Sequence, residues 1–256
     1  MRGEERLRRE REFHEERSGA RAGSLSGADL RFADSVYLDH ESWVRDTFAL
    51  LGDLRGKRVL DYGAGEGLSS VVLARAGARV VSFDIAAGNV RLTARRAAAN
   101  GVKDRLHLAQ MAGEALALKD ASFDAVYGNA ILHHVNLERA GAELRRVLRP
   151  GGVAVFSEPW GENPLLEFVR KRVPYRGKDR TPDERPLRLA DVARLRAQMP
   201  SAEVRGYQLL SMVRRQVRWR PLIALLERID AALLRLVPGL WRWCRYAVII
   251  LRKEAP

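Results

Sequence analysis

The amino-acid sequence predicts an α/β domain: a doubly wound, mostly parallel sheet with an N-terminal helical cap and a C-terminal helical insertion. Three observations carry that prediction. Between residues 56 and 160, short apolar runs alternate with helical patterns, the rhythm of parallel strands joined by right-handed crossovers. The first run, Val59-Leu60-Asp61, enters the glycine turn Gly63-Ala64-Gly65-Glu66-Gly67 ahead of a helical stretch. A second run, Val80-Val81-Ser82-Phe83-Asp84, also ends in a carboxylate, seventeen residues past Gly67.

The elements follow in order. Residues 1–28 alternate Arg and Glu and read as a charged arm, mobile or weakly helical. Residues 29–55 form the cap, with one or two helices over Asp29–Leu51. In the core, residues 56–160, strands are predicted over Arg58–Asp61, Val80–Asp84, Leu106–Met111, Phe123–Asn129 and Val153–Glu158. Helices are predicted over Leu68–Ala76, Gly88–Asn100 and Leu137–Leu148, and Pro150-Gly151-Gly152 reads as a tight turn. Residues 161–256 break the rhythm. Pro164, Pro174, Pro182 and Pro186 mark an irregular connection, followed by a helix over Leu189–Gln198. Tyr207–Val213 and Tyr246–Leu251 read as late antiparallel strands. Between them Leu222, Leu225, Leu226, Ile229, Leu233 and Leu236 recur at helical spacing.

The glycine turn allows a sharp bend and lets a ligand lie on bare backbone, while the following helix directs unpaired N–H groups at it. In doubly wound sheets, an acid ending the second strand hydrogen-bonds a ribose diol. Asp84 stands in that position. No Lys or Arg lies in the turn, and Asp61 and Glu66 would repel a pyrophosphate. No Gly-x-x-x-x-Gly-Lys-Ser/Thr sequence occurs, which excludes a P-loop. The pattern fits an adenosine-like ligand carrying positive charge rather than phosphates, as S-adenosylmethionine (SAM) does.

Composition narrows the setting. The 256 residues suffice for one domain with a full core. Cys244 is the lone cysteine, so no intrachain disulfide forms, which favours a reducing compartment. The charged stretch Arg2–Arg17 lacks an apolar leader, and no run reaches the roughly 18 apolar residues of a membrane span. A cytoplasmic protein is expected, with peripheral contact at the inner membrane surface as an alternative. The net charge of +13 is carried by residues 170–188 and 205–256, so any acidic partner would meet the C-terminal part.

At this point the chain resembles the class I SAM-dependent methyltransferases, Rossmann-like enzymes, and most closely the bacterial small-molecule group called type 11. The resemblance covers roughly residues 56–160. VLDYGAGEG is similar to the family's first motif and VVSFDIA to its second acidic strand end. EALALKDASFDAVYGNAILHHV and LRRVLRPGGVAVFSEP resemble two later family stretches, in the family's order. The resemblance implies that Gly63, Ala64 and Gly65 lie against the methionine part of SAM, with Asp61 orienting the turn. It implies that Asp84 takes the ribose hydroxyls, Ile85 packs on the adenine, and Met111, Ala112 and Gly113 flank the adenine edge. Gly128 and Asn129 would face the sulfonium. Many relatives carry Asp at the position of Ala112, so here a backbone carbonyl or Glu114 would have to receive the adenine amino group.

Methyl transfer from a sulfonium is an in-line displacement that needs alignment and, for a hydroxyl acceptor, removal of a proton. His133 and His134 follow the fourth predicted strand and are candidate general bases, His133 ahead because it is nearer Asn129. The plain alternative is that one caps the strand end and the other lies on the surface. Glu158 is a third candidate, whose alternative role is to tie down the following loop. No His/Cys spacing suggests a metal site.

Tryptophan and arginine flank the amphipathic stretch 222–237: Trp219 and Arg220 before it, Trp241, Arg242, Trp243 and Arg245 after it. This reads as a lid closing over a lipophilic substrate, with a membrane interface or a dimer surface as alternatives. Residues 174–188 are expected to line the same entrance. The sequence lacks the Asn-Pro-Pro-Tyr type of motif that grips a flipped base, and it contains no recognisable RNA-binding module, which argues against nucleic acid. The predicted activity is O-methylation of a lipophilic small molecule in specialised metabolism. The alternatives are C- or N-methylation of a quinone, terpenoid or lipid, and a non-catalytic SAM-binding or membrane-surface scaffold. Oligomeric state is open.

Overall fold

A computed structural model describes residues 2–172, 185–217 and 219–255. Its centre is a seven-stranded sheet in the order β3-β2-β1-β4-β5-β7-β6. The strands are β1 (Arg58–Tyr62), β2 (Arg79–Asp84), β3 (Leu106–Gln110), β4 (Phe123–Asn129), β5 (Leu148–Pro159), β6 (Glu203–Tyr207) and β7 (Tyr246–Arg252). β1 to β5 pair in parallel, and β7 pairs antiparallel with both β5 and β6. The strand order reverses between β1 and β4, and ligands of doubly wound sheets sit beyond the strand ends at that point.

Alternate residues of each central strand feed two cores. Leu60, Val126, Ala154 and Phe156 face α6 (Leu137–Val147) and α8 (Leu189–Gln198), with Leu144, Leu195 and Trp160 buried among them. Val59, Val80, Ala125 and Val155 face the other way, toward Val71, Leu73 and Ala74 of α4 (Leu68–Arg75) and Ala97 of α5 (Ala87–Ala99). Strands buried on both faces explain the near-continuous apolar runs. α6 is built by Leu137, Ala140, Leu144 and Val147 along one stripe, and the Asn136 side chain caps it by accepting from Arg139 N at 3.0 Å.

The cap has the two helices expected within Asp29–Leu51. It holds α2 (Asp34–Leu38) and α3 (Val44–Ala49), two short helices pinned to the sheet by aromatic contacts. Trp43 stacks on Tyr246 with centroids 3.9 Å apart, and the buried Tyr37 and Tyr127 hydroxyls share a hydrogen bond of 2.7 Å.

The charged arm is a correction. Arg2–Ser24 is one continuous helix, α1, docked on α5. The Glu15 carboxylate accepts from Gly88 N at 3.0 and 3.1 Å and from Arg91 at 2.9 Å, and those bonds hold its pKa below the usual range. Arg6 donates to the His134 carbonyl and to Glu114, and Arg21 pairs with Glu66. The Arg/Glu pattern looked solvated because its partners lie far along the chain, and α1 has too few apolar residues to show a helical stripe.

Three differences concern the C-terminal part. The strand expected over Tyr207–Val213 ends at Tyr207. There Gln208 turns with φ +62°, and Asp230 accepts from the N–H groups of Leu209, Leu210 and Ser211, folding the segment into a short 3-10 helix. The supposed irregular connection contains a helix, α7 (Pro164–Arg172), whose first N–H groups are capped by the Asn163 side chain. The rest of that connection, residues 173–184, lies outside the described residues. The amphipathic helix is present as α9 (Arg220–Leu236).

Candidate active site

β1 ends at Tyr62, and the chain passes through Gly63 (φ +75°), Gly65 (φ +53°) and Gly67 (φ +81°) into α4. These values are open to glycine and strained for other residues. A side-chain carbon added at Gly65 would meet no protein atom within 4 Å, so its bare backbone faces open space. At Gly67 the same carbon would collide with Thr93 at 2.6 to 2.8 Å. Below the turn, Asp61 is sealed from solvent and accepts from Ser69 and Ser70 hydroxyls at 2.8 and 2.5 Å. Burial, helped by the nearby Asp84 charge, pushes its pKa up to about 6.

Asp84 is oriented by backbone: it accepts from Gly65 N and Ala86 N, each at 2.9 Å. One carboxylate thereby joins the end of β2 to the glycine turn. The Tyr62 hydroxyl donates to the Gly113 carbonyl at 2.7 Å, holding the segment after β3 against β1. A cavity of about 150 Å³ opens between these pieces. Of the predicted cofactor residues, Gly63, Gly65, Asp84, Ile85, Met111, Gly113 and Asn129 line it. Asp61, Ala64, Ala112 and Gly128 do not: Asp61 holds α4, Ala64 N donates to Phe83 O at 2.8 Å, Gly128 packs against Phe156, and Ala112 is half-buried beside the lining residues Met111 and Gly113. Glu114, the suggested substitute for an acid at position 112, is committed to Arg6 and to Asn136 N.

The donor set fits SAM. An apolar slot between Phe83, Ile85 and Met111 suits the adenine, the Asp84 carboxylate suits a ribose diol, and no cation in the glycine turn invites phosphate.

Glu158, at the end of β5, is fully buried and accepts from Ile131 N at 2.9 Å and Leu132 N at 2.7 Å. Its second oxygen lies 2.6 Å from His133 Nδ1. This carboxylate fixes the turn after β4, where Ala130 holds φ +55°. Neither His133 nor Glu158 lines the cofactor cavity, whereas His134 does. His133 lines a neighbouring cleft of about 240 Å³ with Arg185 and Leu187, the described end of the connection expected at the entrance.

The sequence reading missed the cavity wall made by α1. Leu7, Glu10 and His14 close the side facing Ile131, His134 and Val135. The available signal was the Glu10-x-x-x-His14 spacing, which puts both side chains on one helix face. No described residue of α9 lines the cavity. That helix packs against the 3-10 segments Ser211–Arg215 and Pro238–Trp243, with Arg214 bridging Glu227 of α9 and Glu41 of the cap. Among the described residues this cavity is walled by α1 rather than by α9, the helix expected to cover it.

Residues 60–156 match the methyltransferase domain family. That match takes in 97 of the 256 residues, and over it the chain is similar to methyltransferases. Over 123 residues the chain is 45% identical to the demethylmenaquinone methyltransferase of Beutenbergia cavernae, covering 46% of this chain and 48% of that protein. Over 128 residues it is 38% identical to the ubiquinone biosynthesis O-methyltransferase of Methylocella silvestris, covering 49% and 48%. The chain thus spans about half the length of the curated relatives it matches. Among solved structures, geranyl diphosphate methyltransferase in complex with SAM superposes with TM-score 0.54 at 18% identity, covering 93% of this chain and 90% of that one. The cyclase SpnF superposes with TM-score 0.56 at 22% identity, covering 85% and 84%. Those two likenesses show the fold alone.

Proposed function

We propose that this protein transfers the methyl group of SAM to an oxygen of a lipophilic, quinone-related small molecule. The observation that carries the reading is the cavity in which the Gly63–Gly65 backbone, Asp84 and the Ile85/Met111 slot open directly onto His134. Bound SAM supplies an activated methyl on a sulfonium. The chain's own residues would align and deprotonate: Asn129 and Ala130, at the end of β4, would border the sulfonium, and His134 would be the base for an acceptor hydroxyl. Glu158 and His133 are positioning residues that hold the turn carrying His134. The quinone-related acceptor is supported by the relatives named for menaquinone and ubiquinone biosynthesis.

A lipophilic acceptor also suits the surface of the C-terminal part. Trp219, Leu225, Leu236, Val237 and Trp243 are exposed there, with Arg220, Arg228, Arg235 and Arg242 among them. Such a face suits peripheral contact with an anionic bilayer, from which a quinone would be drawn. No helix among the described residues is long and apolar enough to cross a membrane.

The cyclase with this fold keeps a second reading in view, a SAM-binding protein without methyl transfer. One experiment separates the two. Purified protein is titrated with SAM by calorimetry and then incubated with SAM and a panel of hydroquinones and catechols, with products read by mass. Methylated product that is lost in Asp84→Ala supports the proposal. SAM binding with no product from any acceptor sinks methyl transfer and leaves the second reading.

A further inference from the structure

The mouth of the cavity gathers around His134 two side chains of α1 that proton removal by that imidazole does not require. Glu10 and His14 lie one turn apart on α1, and His134 reaches them from the turn after β4. A single carboxylate oxygen, Glu10 Oε2, lies 3.5 Å from His14 Nε2 and 3.1 Å from His134 Nδ1. One donor atom from each residue lies within 4.8 Å of the others, and the two imidazoles meet edge to face with centroids 5.3 Å apart. The Glu10 and His134 side chains are 7% and 12% exposed, so the pair is largely shielded from solvent.

We propose that Glu10, His14 and His134 form a binding site for a divalent transition metal at the wall of the methyl-transfer cavity. Two imidazole nitrogens and a carboxylate suit zinc-class ions and disfavour magnesium, which takes oxygen ligands. Metal–ligand bonds near 2.0–2.1 Å in tetrahedral geometry place ligand atoms about 3.3 Å apart. The two distances from Glu10, 3.1 and 3.5 Å, straddle that value, and the two imidazole nitrogens lie within 4.8 Å of each other. Three protein ligands leave coordination open, the pattern of a catalytic rather than a structural site. All three ligands line the cavity, so the open position faces the acceptor. With metal bound, His134 would serve as a ligand rather than as the free base, and the metal would take over its task by binding an acceptor oxygen, favouring its deprotonated form and holding it near the transferring methyl. Arg6, one turn before Glu10, is committed to Glu114 and the His134 carbonyl.

The role in acceptor binding rests on the methyl-transfer reading, but the site itself does not. The test is a calorimetric titration of untagged, chelator-stripped protein with Zn²⁺, repeated with Co²⁺ and read by visible absorbance. One equivalent of each ion is expected to bind. Glu10→Gln, His14→Gln and His134→Gln should each weaken binding about tenfold or more, while His107→Gln, on the exposed face of β3, leaves it unchanged. Circular dichroism checks that each variant is folded. Failure of the wild type to bind Zn²⁺ or Co²⁺, or binding that no folded variant of the three weakens, overturns the site. SAM titration of the stripped protein runs in parallel: SAM bound without metal removes only the metal site, and metal bound without SAM removes only the methyltransferase reading.

Discussion

His133 Nδ1 and Glu158 Oε2 lie 2.6 Å apart in a pair whose side chains are 4% and 0% exposed. The carboxylate also accepts two backbone N–H groups from the turn after β4, so its loss would orphan three buried polar groups. Glu158→Ala is expected to cost about 3 kcal/mol or more, read as a lowered urea midpoint. Glu158→Gln, which keeps one carbonyl acceptor, should recover part of that loss.

The adjacent histidine faces the cavity instead. His134→Ala should lower kcat about 100-fold or more while changing SAM affinity by no more than about twofold. His133→Ala should act mainly on stability. Equal kcat for wild type and His134→Ala would remove the base assignment.

At Gly67 the left-handed backbone and the Thr93 backbone leave no room for a side chain. Gly67→Ala is expected to cost about 2 kcal/mol or more and to weaken SAM binding with it. Gly101→Ala, at a surface turn with open space around it, tests the φ contribution alone. It should cost less than Gly67→Ala in the same denaturation series.

Asp61 titrates at about 6 because burial disfavours its charge. A group whose folded pKa is raised adds stability once it is protonated, and the unfolded chain releases that proton only near its ordinary value of 3.8. Relative to Asp61→Asn, wild-type stability should therefore rise as pH falls from above 6 toward about 4. The check is the difference in unfolding free energy between the two proteins at several pH values. A flat difference would mean that Asp61 is ionised throughout.

Docking of α1 depends on Glu15 at the start of α5. Glu15→Ala should speed tryptic cleavage within residues 2–24 several-fold, with SAM protecting the wild type more than the variant. On the opposite side of the molecule, flotation with anionic vesicles tests the Trp/Arg surface. Binding at low salt that is lost at high salt is expected, with Trp219→Ala and Trp243→Ala weakening it.

The amino-acid sequence by itself determined the parallel sheet, the glycine turn, the acids Asp61 near the end of β1 and Asp84 at the end of β2, and the choice of cofactor. Those features are local: alternation, turn glycines and strand-end carboxylates act within a few residues, so their spacing is visible in one dimension. The late strand was misplaced because Asp230, beyond α8 and β6, folds residues 209–211 away from the sheet. Which histidine faces the cavity was decided by Glu158, through bonds to the turn that spacing cannot reveal. The role of α1 was likewise a tertiary outcome. Its charges read as solvated until Gly88, Glu114 and Glu66 supplied partners from distant segments. Glu10, His14 and His134 come together for the same reason: pairing between remote polar groups leaves no periodic trace in the chain.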